Sequence, residues 1–161
     1  MCGFAGFVGD GSEGRAAETL LSAMGAAISH RGPDGDGQLL TPGAGLAHVR
    51  LSIVGLADGQ QPMTEPSGRF TIVFNGEIFN YVELRRDLEA RGVVFRTGSD
   101  TEVLLQLYGT FGDDCLSRLN GDSPSPSGTP ATGGCCWRAT AWACGLSFIQ
   151  NTAARSISPP R

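Results

Sequence analysis

The sequence predicts an α+β fold, on three observations. Apolar, β-branched runs of strand length alternate with segments of 3.6-residue apolar spacing. These come in blocks, without the strict βαβα order of a parallel sheet. A chain of 161 residues suits one domain with one core, and it carries no apolar stretch long enough to span a bilayer.

The elements follow in order. CGFAGFV, residues 2–8, reads as a short buried strand. Residues 16–28 place Leu20, Leu21, Met24 and Ile28 at helical spacing. HRGPDGDG, residues 30–37, is a loop punctuated by glycine and proline. GLAHVRLSIV and RFTIVFN predict strands. Residues 81–91 predict a helix carrying Leu84 and Leu88 and ended by Gly92. VVFRT predicts one more strand. In SDTEVLLQLYGTFG, Ser99 stands three residues before Glu102, a capping-box start to a last helix.

Net charge is -4 with a pI of about 5.1, which points away from nucleic acid. The N-terminus lacks the basic start and apolar run of a signal peptide. With no membrane segment either, the expected location is the cytoplasm, where thiols stay reduced. The five cysteines form no C-x-x-C pair, so no metal site is expected. All twelve basic residues are arginine, the mark of a GC-rich coding sequence.

The grammar breaks near Asp122. Residues 123–161 show no clear period of two or 3.6 and mix Pro, Ser, Gly and Thr with Trp and Cys. A low-complexity tail is one reading, but disordered tails seldom carry two tryptophans and three cysteines.

Cys2 raises the chemical question. It is either an incidental surface thiol or, once Met1 is removed, an N-terminal residue bearing both thiol and α-amine. A free thiol has a pKa of about 8.5 and needs a base to attack a carbonyl. His30 and His48 are the only histidines. The α-amine, with a pKa of about 7.7–8.0, is an alternative base on the same residue. Attack on an amide also needs an oxyanion hole. In FNGEIFN the Asn75 side-chain amide and the Gly76 N–H suit that role. Asn-Gly is equally a hairpin signal, but a helix follows it here. Arg50 suits a carboxylate, or is a solvated strand arginine. Asp100 suits an α-ammonium, or simply feeds a helix N-terminus.

MCGFAGFVG, SHRGPDGDG, AHVRLSIVGL, QPM, NGEIFNYVELR and GSDTEVLLQLY stand in this order. Together they closely resemble the glutaminase domain of glutamine-dependent asparagine synthetases, class II glutamine amidotransferases of the N-terminal nucleophile hydrolase type. The resemblance covers residues 2–122. Phosphoribosyl-pyrophosphate amidotransferase and glucosamine-6-phosphate synthase usually read differently after the arginine and after Asn-Gly. The resemblance implies a four-layer α-β-β-α sandwich of two antiparallel sheets, incomplete here at the C-terminal end. It implies glutamine hydrolysis to glutamate and ammonia, with Cys2 as nucleophile and Asn75 and Gly76 as oxyanion hole. Arg50 would hold the L-glutamine carboxylate, and Leu51, Ser52, Ile53 and Val54 would shape the pocket. Glu77 and Asp100 would face the α-amino group. The glutaminase reaction needs no cofactor. ATP and magnesium belong to the family's synthetase domain, which amidates aspartate and is missing from this chain.

The family continues after LNGD with a stretch like FAFA-hydrophobic-WD, then RD-x-LG-x-x-PLF. Restoring one T after the codon for Asp122 turns SPSPSGTPATGG into FAFALWDARDGR. It turns CCWRATAWACGLSFIQ into LLLARDRLGVRPLFHT. Residues 123–161 are therefore expected to be an out-of-frame tail without native fold. The folded part is expected to end close to Asp122, with limited proteolysis of the chain beginning soon after it. Two alternatives to a working glutaminase stay open: an inactive truncated remnant, or the glutaminase domain of another class II amidotransferase.

Overall fold

The computed structural model describes residues 2–8, 14–51, 58–120, 135–139 and 145–150, the last two as backbone strands. The elements are β1 (Gly3–Val8), α1 (Gly14–Ala27), β2 (Gly35–Thr41), β3 (Ala44–Arg50), β4 (Met63–Thr64), β5 (Phe70–Phe74), α2 (Tyr81–Ala90), α3 (Asp100–Phe111), β6 (Cys135–Ala139) and β7 (Gly145–Gln150).

Two antiparallel sheets result, ordered β1-β3-β2 and β4-β5-β7-β6. Helix α1 covers the first sheet, and α3, with α2 packed on it, covers the second. Side-chain alternation sorts the faces. Ala44 and Leu46 of β3 meet Val73 of β5 and Phe4 of β1 between the sheets. Ile72 and Phe74 point the other way, into a larger core with Met63, Leu84, Leu88, Leu104 and Leu107. The layers are α-β-β-α, as the resemblance implies.

Helix α1 buries Ala17 and Leu21, whereas Leu20 stays about half exposed. Leu21, Met24 and Ile28 keep the predicted stripe, Met24 and Ile28 half-buried, and Ala17 rather than Leu20 completes it. The predicted loop at residues 30–37 is partly strand. Gly35 opens β2 and pairs with Arg50, and Gly37 lies opposite His48. The three-glycine spacing hides this strand because it offers no apolar alternation. Gly37 has a steric reason: a Cβ there would collide with the carbonyl oxygen of Gln61.

VVFRT forms no strand. Val93 and Phe95 pack on the core and Val94 is exposed, so the alternation is real. The backbone partners are not a ladder, however. Arg96 N–H and Thr97 N–H donate to the Glu102 carboxylate at 2.9 and 2.6 Å. The capping box is correspondingly half formed. Ser99 Oγ accepts from Thr101 N–H at 3.1 Å, while Glu102 reaches past Ser99 to residues 96 and 97. Helix α2 ends as predicted. Gly92 at φ 89° lets Val93 N–H bond Leu88 O and Gly92 N–H bond Glu89 O, a Schellman close.

Strands β6 and β7 lie inside residues 123–161, where the sequence predicts no native fold. Strand β7 pairs with β5 from Phe70↔Gln150 to Phe74↔Leu146, and β6 pairs with β7. Neither strand contains proline, and GLSFIQ holds a brief period of two at Leu146-Ser147-Phe148. Pro124 and Pro126 lie outside the described residues.

Candidate active site

The candidate site residues lie in two groups, at the end of β3, the central strand of its sheet, and past the end of β5, an interior strand of the other. Cys2 precedes β1 and its sulfur rests on the backbone of Leu51. Leu51 N–H donates to Sγ at 3.2 Å, and the thiol donates to Leu51 O at 3.4 Å. Leu51 follows Arg50 directly, so the β1–β3 ladder places Cys2 beside Arg50. Arg50 ends β3 and is nine-tenths buried. It is held from outside by a parallel bridge to Pro33 and by Asp34 N–H donating to Arg50 O at 3.0 Å.

Asn75 follows β5 on the same alternation as Thr71 and Val73, hence on the side facing the first sheet, and is buried. Gly76 and Glu77 are exposed and Ile78 is buried. The Asn-Gly pair makes no hairpin. The chain runs through residues 76–80 into α2, with Asn80 as its N-terminal cap residue. Asp100 opens α3, and its Oδ2 accepts from Ile78 N–H at 3.3 Å. The structure thus brings Cys2, Arg50 and Leu51 together, and Asp100 to the segment that carries Asn75, Gly76 and Glu77. Ser52, Ile53 and Val54 lie outside the described residues.

Burial pushes the Asp100 carboxyl above its ordinary value, and the Glu77 charge adds to the rise. Hydrogen bonds from Ile78 and Thr101 hold it down only in part. The charge that acts on Asp100 is that of Glu77, and no cation of the described residues offsets it. Two neighbouring carboxylates are chemically suited to an ammonium group.

His30 is exposed, in a short 3-10 turn. His48 is buried, and its pKa falls to about 4, first from burial and then from the Arg50 charge, against the Phe74 carbonyl beside it. Its Nε2 has no hydrogen-bond partner among the described residues. Sequence reasoning considered His48 as a base and missed its place as a neutral wedge between the sheets. It also missed Gln61 and Thr101, whose side chains bond one another at 3.2 Å next to Asp100. Gln61 heads the QPM motif, which was the one available signal.

The family profile described as glutamine amidotransferase domain matches residues 1–123. The chain belongs to that family. Among curated proteins it is similar to asparagine synthetase (glutamine-hydrolyzing) 1 of Bacillus subtilis, 43% identical over 123 residues, 75% of this chain and 20% of that protein. It is also similar to a probable asparagine synthetase (glutamine-hydrolyzing) of Dictyostelium discoideum, 37% identical over 76% of this chain and 22% of that protein. The chain spans about a fifth of the length of these relatives. Among solved structures, glutamine phosphoribosylpyrophosphate amidotransferase from B. subtilis superposes with a TM-score of 0.63 at 20% identity, over 92% of this chain and 41% of that one. That likeness shows the fold. In the described residues no helix is long and apolar enough to cross a membrane.

Proposed function

We propose that Cys2, freed of Met1, hydrolyses the side-chain amide of L-glutamine. The thiol gives its proton to the Cys2 α-amine as sulfur bonds the amide carbon. The tetrahedral oxyanion takes hydrogen bonds from the Asn75 side chain and Gly76 N–H. The protonated amine then passes its proton to the departing nitrogen, the C–N bond breaks, and ammonia leaves. Water, deprotonated by the same amine, cleaves the thioester to give glutamate and free thiol. Arg50 grips the substrate carboxylate, Leu51 walls the pocket, and Asp100 with Glu77 takes the ammonium. Among the described residues no group of three or more His, Cys, Asp or Glu is placed to hold a metal ion. No step is routed through ATP or magnesium.

The observation that carries this reading is Asp100: a buried carboxylate beside a second one, with no protein cation, fastened to the Asn75–Ile78 segment. His48 serves poorly as the base, since it is buried, neutral and hydrogen-bonded to nothing at Nε2. The relatives' names join glutamine hydrolysis to asparagine synthesis. The ammonia is accordingly assigned to amidation of aspartate by a synthetase domain. A free Cys2 thiol suits the cytoplasm.

Cys2→Ala and Cys2→Ser proteins, and a tagged protein without a free Cys2 amine, should release no ammonia from glutamine. Activity in the tagged form would move the base to a histidine.

For residues 123–161 we propose translation out of frame after Asp122. The family match stops at residue 123, and β6 and β7 fall on codons whose restored reading is LLLAR and RPLFHT. A DNA trace tests this: an unbroken frame with no RDRLGVRPLF continuation contradicts it.

A further inference from the structure

Strand β4 begins at Met63, so the ladder Met63↔Ile72 stops before reaching Phe74. Continued by two residues, its register would set Gln61 opposite Phe74. The Gln61 side chain does what that missing rung would do: Phe74 N–H donates to Gln61 Oε1 at 2.5 Å. The other end of the amide is also engaged. Gln61 Nε2 donates to Thr101 Oγ1 at 3.2 Å. The Thr101 hydroxyl then has its own proton left, and Asp100 Oδ1 lies 3.4 Å away to accept it. The second oxygen of Asp100 accepts Ile78 N–H at 3.3 Å.

The first three bonds run in one direction and the fourth meets them at the Asp100 carboxylate, which accepts from both sides, so no donor or acceptor is in conflict. They begin at the N–H of residue 74 and finish at the N–H of residue 78. Between those points lie Asn75, Gly76 and Glu77. Thr101 is almost fully buried, and the backbone carbonyl of Gln61 is pressed against Gly37 of the opposite sheet, which fixes where the Gln61 side chain starts.

We infer that Gln61 and Thr101 are positioning residues: with Asp100 they clasp segment 74–78 at both ends and couple ammonium recognition at Asp100 to the placement of the Asn75 and Gly76 donors. The inference rests on the glutamine reading of the site and deepens it. Neither residue touches the reacting atoms. A shift of a few tenths of an ångström in the oxyanion donors is enough to slow the step they serve.

The test combines turnover with amide hydrogen exchange. Gln61→Met keeps the side-chain length and removes both bonds. Thr101→Val keeps the shape and removes the hydroxyl. Each should lower kcat for glutamine by about tenfold or more. Only Thr101→Val, which strips a donor from Asp100, should also raise KM. Thr101→Ser should restore both constants. The double variant should be no slower than the worse single one, because one broken link opens the clasp. In the protein without glutamine, Gln61→Met should speed exchange at Ile78, three links away, as well as at Phe74. Wild-type kcat and KM in both variants with only a lowered Tm would overturn the inference, and so would multiplicative losses in the double variant. If the wild-type protein releases no ammonia, the glutamine reading fails on its own. The exchange measurement then decides the clasp: Ile78 protection unchanged in Gln61→Met, and in Gln61→Glu should Met fail to fold, overturns it.

Discussion

Asp100 and His48 are the two side chains whose charge the fold moves most plainly, and each predicts a pH response. Asp100 is raised, so the folded state holds its proton to higher pH than the unfolded chain. An ammonium needs the ionised form. Glutamine KM should therefore climb on acidification from a pH above the ordinary carboxylate range of about 3.9, and Asp100→Asn should raise KM and flatten that limb. His48 is lowered from 6.5 to about 4, so between those values the unfolded chain binds the extra proton. Stability is full above about 6.5 and falls as pH drops toward 4, by about 3 kcal/mol in all. Chemical denaturation of wild type and His48→Gln across pH 4–7 checks this, with the variant showing the shallower profile. Asn75→Ala should lower kcat by about 10²–10³ and leave KM near wild type. A loss of Tm with turnover intact would make Asn75 a turn residue only. Cys2, Arg50, Asn75 and Asp100 could be singled out in the sequence as candidates because each proposed chemistry needs one residue type. Gln61 and Thr101 were not, because an amide and a hydroxyl acting through hydrogen bonds have no composition signature.

Elements set by strong periodicity or by capping chemistry were readable, and those set by tertiary partners were not. Ser99 and Gly92 mark their helix ends by local geometry. Residues 93–97 look like a strand and are not one, because the Glu102 carboxylate collects the N–H groups of Arg96 and Thr97. That carboxylate is buried and also accepts the Thr97 hydroxyl at 2.6 Å. Glu102→Gln turns an amide N–H toward those donors and should cost about 1–3 kcal/mol. Since the loop leads straight into Asp100, it should raise glutamine KM as well. Urea midpoints and steady-state kinetics on the same preparation separate the two effects. Strand β2 escaped notice for the opposite reason: Gly35 and Gly37 carry no pattern, and the demand for glycine comes from Gln61 on the facing segment.

At the scale of the whole molecule, two sheets bring the ends of β3 and β5 together, and helices on the outer faces bury the rest. The α+β class was readable from the blocks of strands and helices, and the layer order from the resemblance. The pairing of β5 with β7 was not, because residues 145–150 have a period of two for only a few positions. Leu104 is fully buried in the helix-side core. Leu104→Ala should cost about 2–5 kcal/mol without changing KM in whatever fraction stays folded, a control for variants that act at the site. The account stands on an N-terminal cysteine that forms a γ-glutamyl thioester. The direct measurement is intact-protein mass spectrometry after rapid acid quench with glutamine, with hydroxylamine added in parallel to trap the acyl group. The account predicts a glutamyl adduct on Cys2 in protein lacking Met1, released as γ-glutamyl hydroxamate, and none in Cys2→Ser or in protein retaining Met1. Ammonia release with no adduct on Cys2, or an adduct formed equally with Met1 in place, would contradict it.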